Sequence, residues 1–215
     1  MKKQEFAVIV LRGKRKTLSL SVNEKGDAVV RAPNSARTDE IQQFVSRHSE
    51  WIARRRKEIE RSRPDFSDGA SVEICGRQYT IVPSGRAGIT GQTLRLPEQG
   101  RETALIGLLK RMVRERMCRI VSEYAARYGF LYTSIQISSA RGRWGSCSTS
   151  GTLSFSFRTA FLTDEEARYI AVHELCHTRH MNHGPAFWKE VRDIFPDYLA
   201  VRKGLRSKSS LMLFL

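Results

Sequence analysis

The sequence predicts an α+β protein, and three observations carry that prediction. Up to about Gly100, short stretches alternate apolar and polar side chains with a period of two, separated by glycine-rich turns. Beyond Gly100 the apolar positions recur at helical spacing over long stretches. A histidine-rich segment, HELCHTRHMNHGPAFW at 173–188, falls in this helical half. The expected organisation is a strand-rich N-terminal region with one long helix over 1–100, then a second region over 101–215 that carries the histidines.

Each element has a local cause. Leu18, Leu20 and Val22 alternate with Thr17, Ser19 and Ser21, NEKGD (23–27) turns, and AVVRAP returns as a partner strand. A helix opens near Thr38 with Asp39 and Glu40 in its first turn, where the helix dipole favours acids. Ile41, Phe44, Val45, His48, Trp51 and Ile52 hold its apolar face, and His48 is read there as a satisfied boundary histidine. RSRPDFSDGAS (61–71) is a loop, followed by the strands SVEICG, RQYTIVP and TLRLP. Residues 102–128 read as a helix stopped by Gly129. Its exposed face carries Lys110, Arg111, Arg114 and Arg119, a solvated face or a phosphate-contacting one. SIQISSA and TLSFSFRTAFL look like a hairpin joined through RGRWGSCSTSG. Thr163 and Glu166 form a T-x-x-E capping box that starts the helix running into the histidines.

Composition narrows the function classes. No apolar run approaches the roughly 20 residues that span a bilayer, which argues against a membrane partner. The opening MKKQEFAVIVLRGKRK lacks the long apolar core of a secretory signal, so a cytoplasmic location is expected. Cys75, Cys118, Cys147 and Cys176 form no CxxC pair, which argues against a disulfide framework or a thiolate zinc finger. The formal net charge of +15 is dispersed over several arginine-rich stretches, which suits an anionic partner such as nucleic acid or a nucleotide, or else a solvated basic surface.

Four of the five histidines lie between 173 and 183. His173 and His177 are four apart, so on a helix they share a face and can reach one ion at about 2.0–2.1 Å. Glu174 sits beside the open coordination position of such a pair, placed to take a proton from metal-activated water. A catalytic zinc needs a third protein ligand. His180 lies about 10 Å along the axis from His173 and would be out of reach on a continuing helix. His183 follows Asn182, which can end a helix in the left-handed conformation, and precedes Gly184 and Pro185, which permit a bend and a new helix. The expected ligands are therefore His173, His177 and His183 around one Zn2+, with His180 left for a surface or second-layer hydrogen bond or a substrate contact. The spacing H-E-x-x-H-x5-H equals that of metzincin proteases, with His180 where they have glycine.

With these residues in hand, the chain resembles the YgjP-like metal-dependent hydrolases, or YgjP-like metallopeptidase domain, relatives of SprT-like zincin peptidases. RGKRKTLSLSVNEKGDAVVRAP, EWIARR, RGRWGSCSTSGTLSFSFRTAFL and HELCHTRHMNHGPAFWKEVRDIFPDY carry the resemblance, with Ser156 standing where asparagine is expected. It implies a zincin-like, metal-binding catalytic domain over 101–215, behind the strand-rich region. It also implies an edge strand near the metal that can pair with an extended peptide, with TLSFSFRTAFL as the candidate. Phe187 and Trp188 are expected to pack the new helix onto the metal helix and Cys176 to sit in the core; Cys147 as a fourth ligand would close the site and is not expected.

The leading functional expectation is a zinc-dependent hydrolase acting on peptides or proteins, with Glu174 as general base. Arg143, Arg158 and His180 are candidates for steadying the oxyanion. A metal-dependent nucleotide or phosphoanhydride hydrolase, or a nucleic-acid-associated protease, would use the arginine excess instead. A non-enzymatic nucleic-acid-binding module with a structural zinc is the third reading.

Overall fold

The computed structural model describes residues 6–215, so Lys2 and Lys3 of the opening basic stretch lie outside the described residues. The chain forms two compact units. One is built from the chain up to Arg63 with Phe214, and the other from Pro64–Leu213 with Leu215. The change from strands to helices at Pro97–Gly100 lies inside the second unit.

In the first unit β1 (Val8–Gly13), β2 (Ser19–Val22) and β3 (Ala28–Pro33) form a sheet of order β1-β3-β2. The expected β2–β3 partnership is antiparallel, and β1 joins β3 in parallel. The single long helix expected here is two, α1 (Thr38–Arg47) and α2 (Ser49–Ser62). The break falls at His48, whose backbone leaves helical geometry at φ −105° and ψ 12°. Its Nδ1 lies 2.7 Å from the Phe44 carbonyl, so this histidine is a satisfied boundary residue.

The second unit opens with β4 (Ser71–Ile74), β5 (Arg77–Pro83), β6 (Gly88–Thr90) and β7 (Thr93–Leu96), in the order β4-β5-β7-β6. The helix α3 (Arg101–Tyr128) follows and ends at Gly129, whose φ of 69° suits a residue without a Cβ. Leu105, Leu109, Val113, Met117 and Val121 form its buried stripe. On its outer face Arg114 donates to the Ile135 carbonyl.

Next come β8 (Ser134–Ser138), β9 (Gly145–Cys147) and β10 (Thr152–Ser156). The expected hairpin is not formed: β10 pairs with β8 in parallel and with β9 antiparallel. Residues 139–151 are long enough for the crossover that parallel strands require, and they supply β9 on the way. The strand is also shorter than expected, because Phe157–Phe161 turns into a 3-10 helix. Ser156 starts that turn: its hydroxyl accepts from the Arg158 N–H and donates to the Ala140 carbonyl at 2.8 Å.

The helix α4 (Asp164–Cys176) begins with the expected capping box. Thr163 Oγ1 accepts from Glu166 N–H at 3.2 Å, and Glu166 Oε2 accepts from Thr163 N–H at 2.8 Å. Then follow α5 (Pro185–Ile194), with proline at its first position, α6 (Tyr198–Ser207) and a 3-10 turn over Lys208–Leu213. One core joins α3 and α4 with Leu153, Phe155, Phe187 and Val191, and it includes Cys176 as expected. No helix among the described residues is long and apolar enough to cross a membrane.

Candidate metal centre

The inner face of α4 carries His173, and His177, the C-cap, follows one turn later in helical conformation as their spacing demands. After Cys176 the chain tightens: Thr178 N–H bonds the Leu175 carbonyl, and Arg179 and His180 N–H both bond Cys176. The chain then reverses into α5 and returns His183 to the pair. The reversal does not use a left-handed Asn182. Among the described residues, Cys75 and Leu215 are the only non-glycines at positive φ. Gly184 sits at φ −74°, an ordinary value, and what favours a glycine there is closeness: a Cβ would stand 3.2 Å from Asn182 Oδ1.

His173, His177 and His183 each offer a ring nitrogen, and these three atoms lie within 4.8 Å of one another. The Nε2 atoms of His173 and His183 are 3.0 Å apart. Neutral imidazoles converging their nitrogens on one point are the donor set of a metal site. His177 shows how the lone pair is presented. Its Nδ1 lies 2.9 Å from the His180 carbonyl, which can only accept, so Nδ1 carries the proton and Nε2 is left free. Burial first, then His177, His183 and Arg202, lowers the His173 pKa to about 3, which keeps that ring neutral. Burial, then His177 and Arg202, also lower His183. The residues present therefore fit a divalent ion.

Aromatic rings fix the imidazoles. Phe187 is fully buried and stacks on His177, with centroids 4.5 Å apart and planes at 29°. Trp188 stacks on His183 at 5.4 Å and on Tyr198 at 5.5 Å. Both aromatics thus pack α5 against α4, as expected from the sequence. Tyr169, four residues before His173, brings its hydroxyl 3.5 Å from His173 Nδ1. Burial pushes that phenol up to about 12, so it keeps its proton.

Glu174 is 5% exposed and lies against β9. A Cβ on Gly145 would stand 2.6 Å from Glu174 Oε1 and 2.8 Å from its Cγ, so only glycine leaves room for the carboxylate. Burial pushes the Glu174 carboxyl up to about 8, with Arg143 pulling the other way. Arg143 is exposed and is the nearest of the three oxyanion candidates in its effect on Glu174.

The other two candidates are placed elsewhere. Arg158 is 1% exposed, and its guanidinium donates to the carbonyls of Ser139, Ala140 and Leu215 and lies over the Phe157 ring. Those partners hold it as a structural bolt, away from the histidines. His180 meets Glu190, with Nε2 3.3 Å from Oε2, and it touches the centre through its backbone carbonyl. Cys147 is not part of the converging cluster. Cys176 is fully buried, and burial pushes its thiol up to about 12.

A cavity of about 340 Å3 opens beside the cluster, lined by Trp144, Gly145, Tyr169, His173 and Glu174 and also by Arg202 and Arg206 of α6. Sequence reasoning placed Gly145 in a tight turn near the cleft but missed Tyr169 and this arginine pair. The i,i+4 spacing of Tyr169 to His173, and of Arg202 to Arg206, is the signal that would have found them.

The sequence profile of the YgjP-like, metallopeptidase domain matches residues 16–208, a span that includes all of these groups. The chain belongs to the YgjP-like family. Membership places this YgjP-like protein among the metallopeptidases, which are metal-dependent hydrolases. It is similar to the metallopeptidase zymogen of Pyrococcus abyssi abylysin: 22% identity over 43% of this chain and 93% of that one, TM-score 0.40. It is also similar to the metallopeptidase zymogen of Methanocaldococcus jannaschii jannalysin: 24% identity over 43% of this chain and 89% of that one, TM-score 0.40. No curated protein matches the chain.

Proposed function

We propose that this YgjP-like protein is a zinc peptidase in which His173, His177 and His183 hold one zinc ion and Glu174 moves the proton. The observation that carries the reading is the convergence of three ring nitrogens beside one buried carboxylate. Zinc bound there would supply Lewis-acid polarisation of a scissile carbonyl and acidify water. The charge of a bound zinc would favour the ionised form of Glu174 that burial alone disfavours, and that carboxylate takes the proton from the attacking water and delivers it to the leaving amine. Gly145 sets where that carboxylate stands, because its missing side chain leaves the space that Glu174 Oε1 and Cγ occupy. Arg143, the exposed cation that acts on Glu174, is the group best placed to steady an oxyanion.

An extended substrate needs a free strand edge. The strand expected for that role, TLSFSFRTAFL, is not available: β10 is central and bonded on both sides. Its neighbour β9 is at the edge of the sheet and carries Gly145 against Glu174. The substrate strand is therefore assigned to β9.

The test pairs elemental analysis with turnover of unfolded protein and of nucleoside triphosphates, with and without chelator. The expected result is one zinc per chain and chelator-sensitive peptide cleavage. In Glu174→Gln, zinc stays and turnover falls by roughly 10²–10⁴. Peptide cleavage at the parent rate in that variant would remove Glu174 from the proton path. Glu174-dependent phosphate release with no peptide cleavage would overturn the substrate assignment.

A further inference from the structure

The cavity beside Glu174 has a charge arrangement that the proton-transfer chemistry does not use. Glu174 is the sole carboxylate in its lining, which also includes Arg202 and Arg206. Among the described residues neither guanidinium has a carboxylate partner. The contrast with the rest of the unit is sharp: Arg116 is paired with Asp164, Arg168 with Glu123 and Arg179 with Glu190.

Arg202 is also held in place. Its guanidinium carbon lies 4.7 Å from the centre of the Trp188 ring, and Trp188 in turn stacks on His183. The cation is thus fixed relative to the metal cluster through two stacked rings. Arg206 follows one turn later on α6, so both guanidinia sit on one face and can fork onto one anion. Trp144, Tyr169, Ile170 and Leu205 supply the apolar wall, and a volume of about 340 Å3 lies at the small end of ligand pockets. A small cavity lined by apolar side chains together with two cations suits a short aliphatic stem with an anionic tip.

Building on the peptidase reading above, we propose that Arg202 and Arg206 form a subsite that selects peptides with a carboxylate next to the cleaved bond. That carboxylate comes from an Asp or Glu side chain or from a free C-terminus. Both sources present the planar, two-oxygen group that paired guanidinia recognise.

The test uses a neutral decapeptide in which one Glu is walked through every position, each peptide matched to its Gln counterpart. A second set carries an amidated C-terminus. In the zinc-loaded parent, one Glu position, or the free C-terminus, raises kcat/KM by roughly tenfold over its neutral match. That preference shrinks as salt rises, because Arg206 is exposed. In Arg202→Gln/Arg206→Gln the preference falls to about one. Arg206→Glu, a change at an exposed position, shifts it toward Lys at the same site. Arg202→Lys restores part of it.

Binding of the same peptides to zinc-loaded Glu174→Gln, measured by titration calorimetry, separates this proposal from the reading beneath it. If the parent cleaves nothing while the variant still prefers the carboxylate peptide, the peptidase reading fails and the subsite stands. Equal handling of Glu and Gln peptides in both assays overturns the subsite. So does a preference that survives the double substitution. Arginine-dependent binding of nucleoside triphosphates without discrimination among peptides would assign the pair to phosphate and also overturn it.

Discussion

The imidazoles of the candidate metal centre come from two kinds of structure. His173 rides on α4 and His177 is its C-cap, tied back by its N–H to the His173 carbonyl at 3.3 Å. His183 comes from the turn before α5, is exposed, and is placed by stacking on Trp188 and by the reversal at 178–184. The difference teaches where the centre is rigid. The helical pair sits at 9% exposure for His177 and beside buried Glu174, so its geometry is built into the fold. The third nitrogen is delivered by a segment with fewer constraints.

The sharpest test of that contrast removes one ligand from each source. His177→Ala should lose zinc and all detectable turnover, since it also frees Phe187 of its stacking partner. His183→Ala should keep α4 intact and retain weak zinc binding, at least about 100-fold poorer than the parent, because loss of an outer partner alone costs up to that much. Metal titration followed by turnover at saturating zinc checks both. If the two variants lose zinc equally, the helical pair has no independent affinity and the contrast is wrong.

A second test attacks the rigid side without touching a ligand. Gly145→Ala would place a methyl carbon 2.6 Å from Glu174 Oε1, so the carboxylate must move. Zinc content should be unchanged, while turnover drops by roughly 100-fold, the cost of a misplacement of about 1 Å. Parent-like turnover would show that Glu174 does not need its present position.

The sequence made the rigid side legible and left the rest obscure, for physical reasons. The i,i+4 pair, the glutamate and the T-x-x-E cap are all local, and a helix converts local spacing directly into geometry. The bend that returns His183 was readable from the residues after Met181, although Asn182 does not adopt the left-handed conformation that the reading gave it. Strand partners are non-local. Alternation marked β8 and β10 as strands but could not tell a hairpin from a parallel pair with β9 inserted. The same blindness made β10 an edge strand, whereas it is central and β8 and β9 are the edges. Arg158 looked available by type, and only its burial among the carbonyls of Ser139, Ala140 and Leu215 removes it. The break at His48 was hidden because its apolar face continues through the interruption.

The smallest expected effect belongs to the fourth histidine of the segment, and it probes the turn that delivers His183. His180 acts on the centre through its carbonyl, which accepts from His177 Nδ1 at 2.9 Å. Its ring instead meets Glu190, which Arg179 also holds, with Nη1 2.5 Å from Oε1. His180→Ala keeps the carbonyl and leaves Glu190 its guanidinium. Zinc affinity and turnover should therefore stay within about twofold of the parent, against the 10–100-fold loss typical when an outer hydrogen bond to a metal ligand is removed. Melting temperature should fall by no more than about 2–4 °C, as expected for loss of one partly exposed ion contact. A collapse of turnover comparable to that of Glu174→Gln, with zinc retained, would place the His180 ring on the substrate. The turn would then contribute chemistry of its own as well as a ligand.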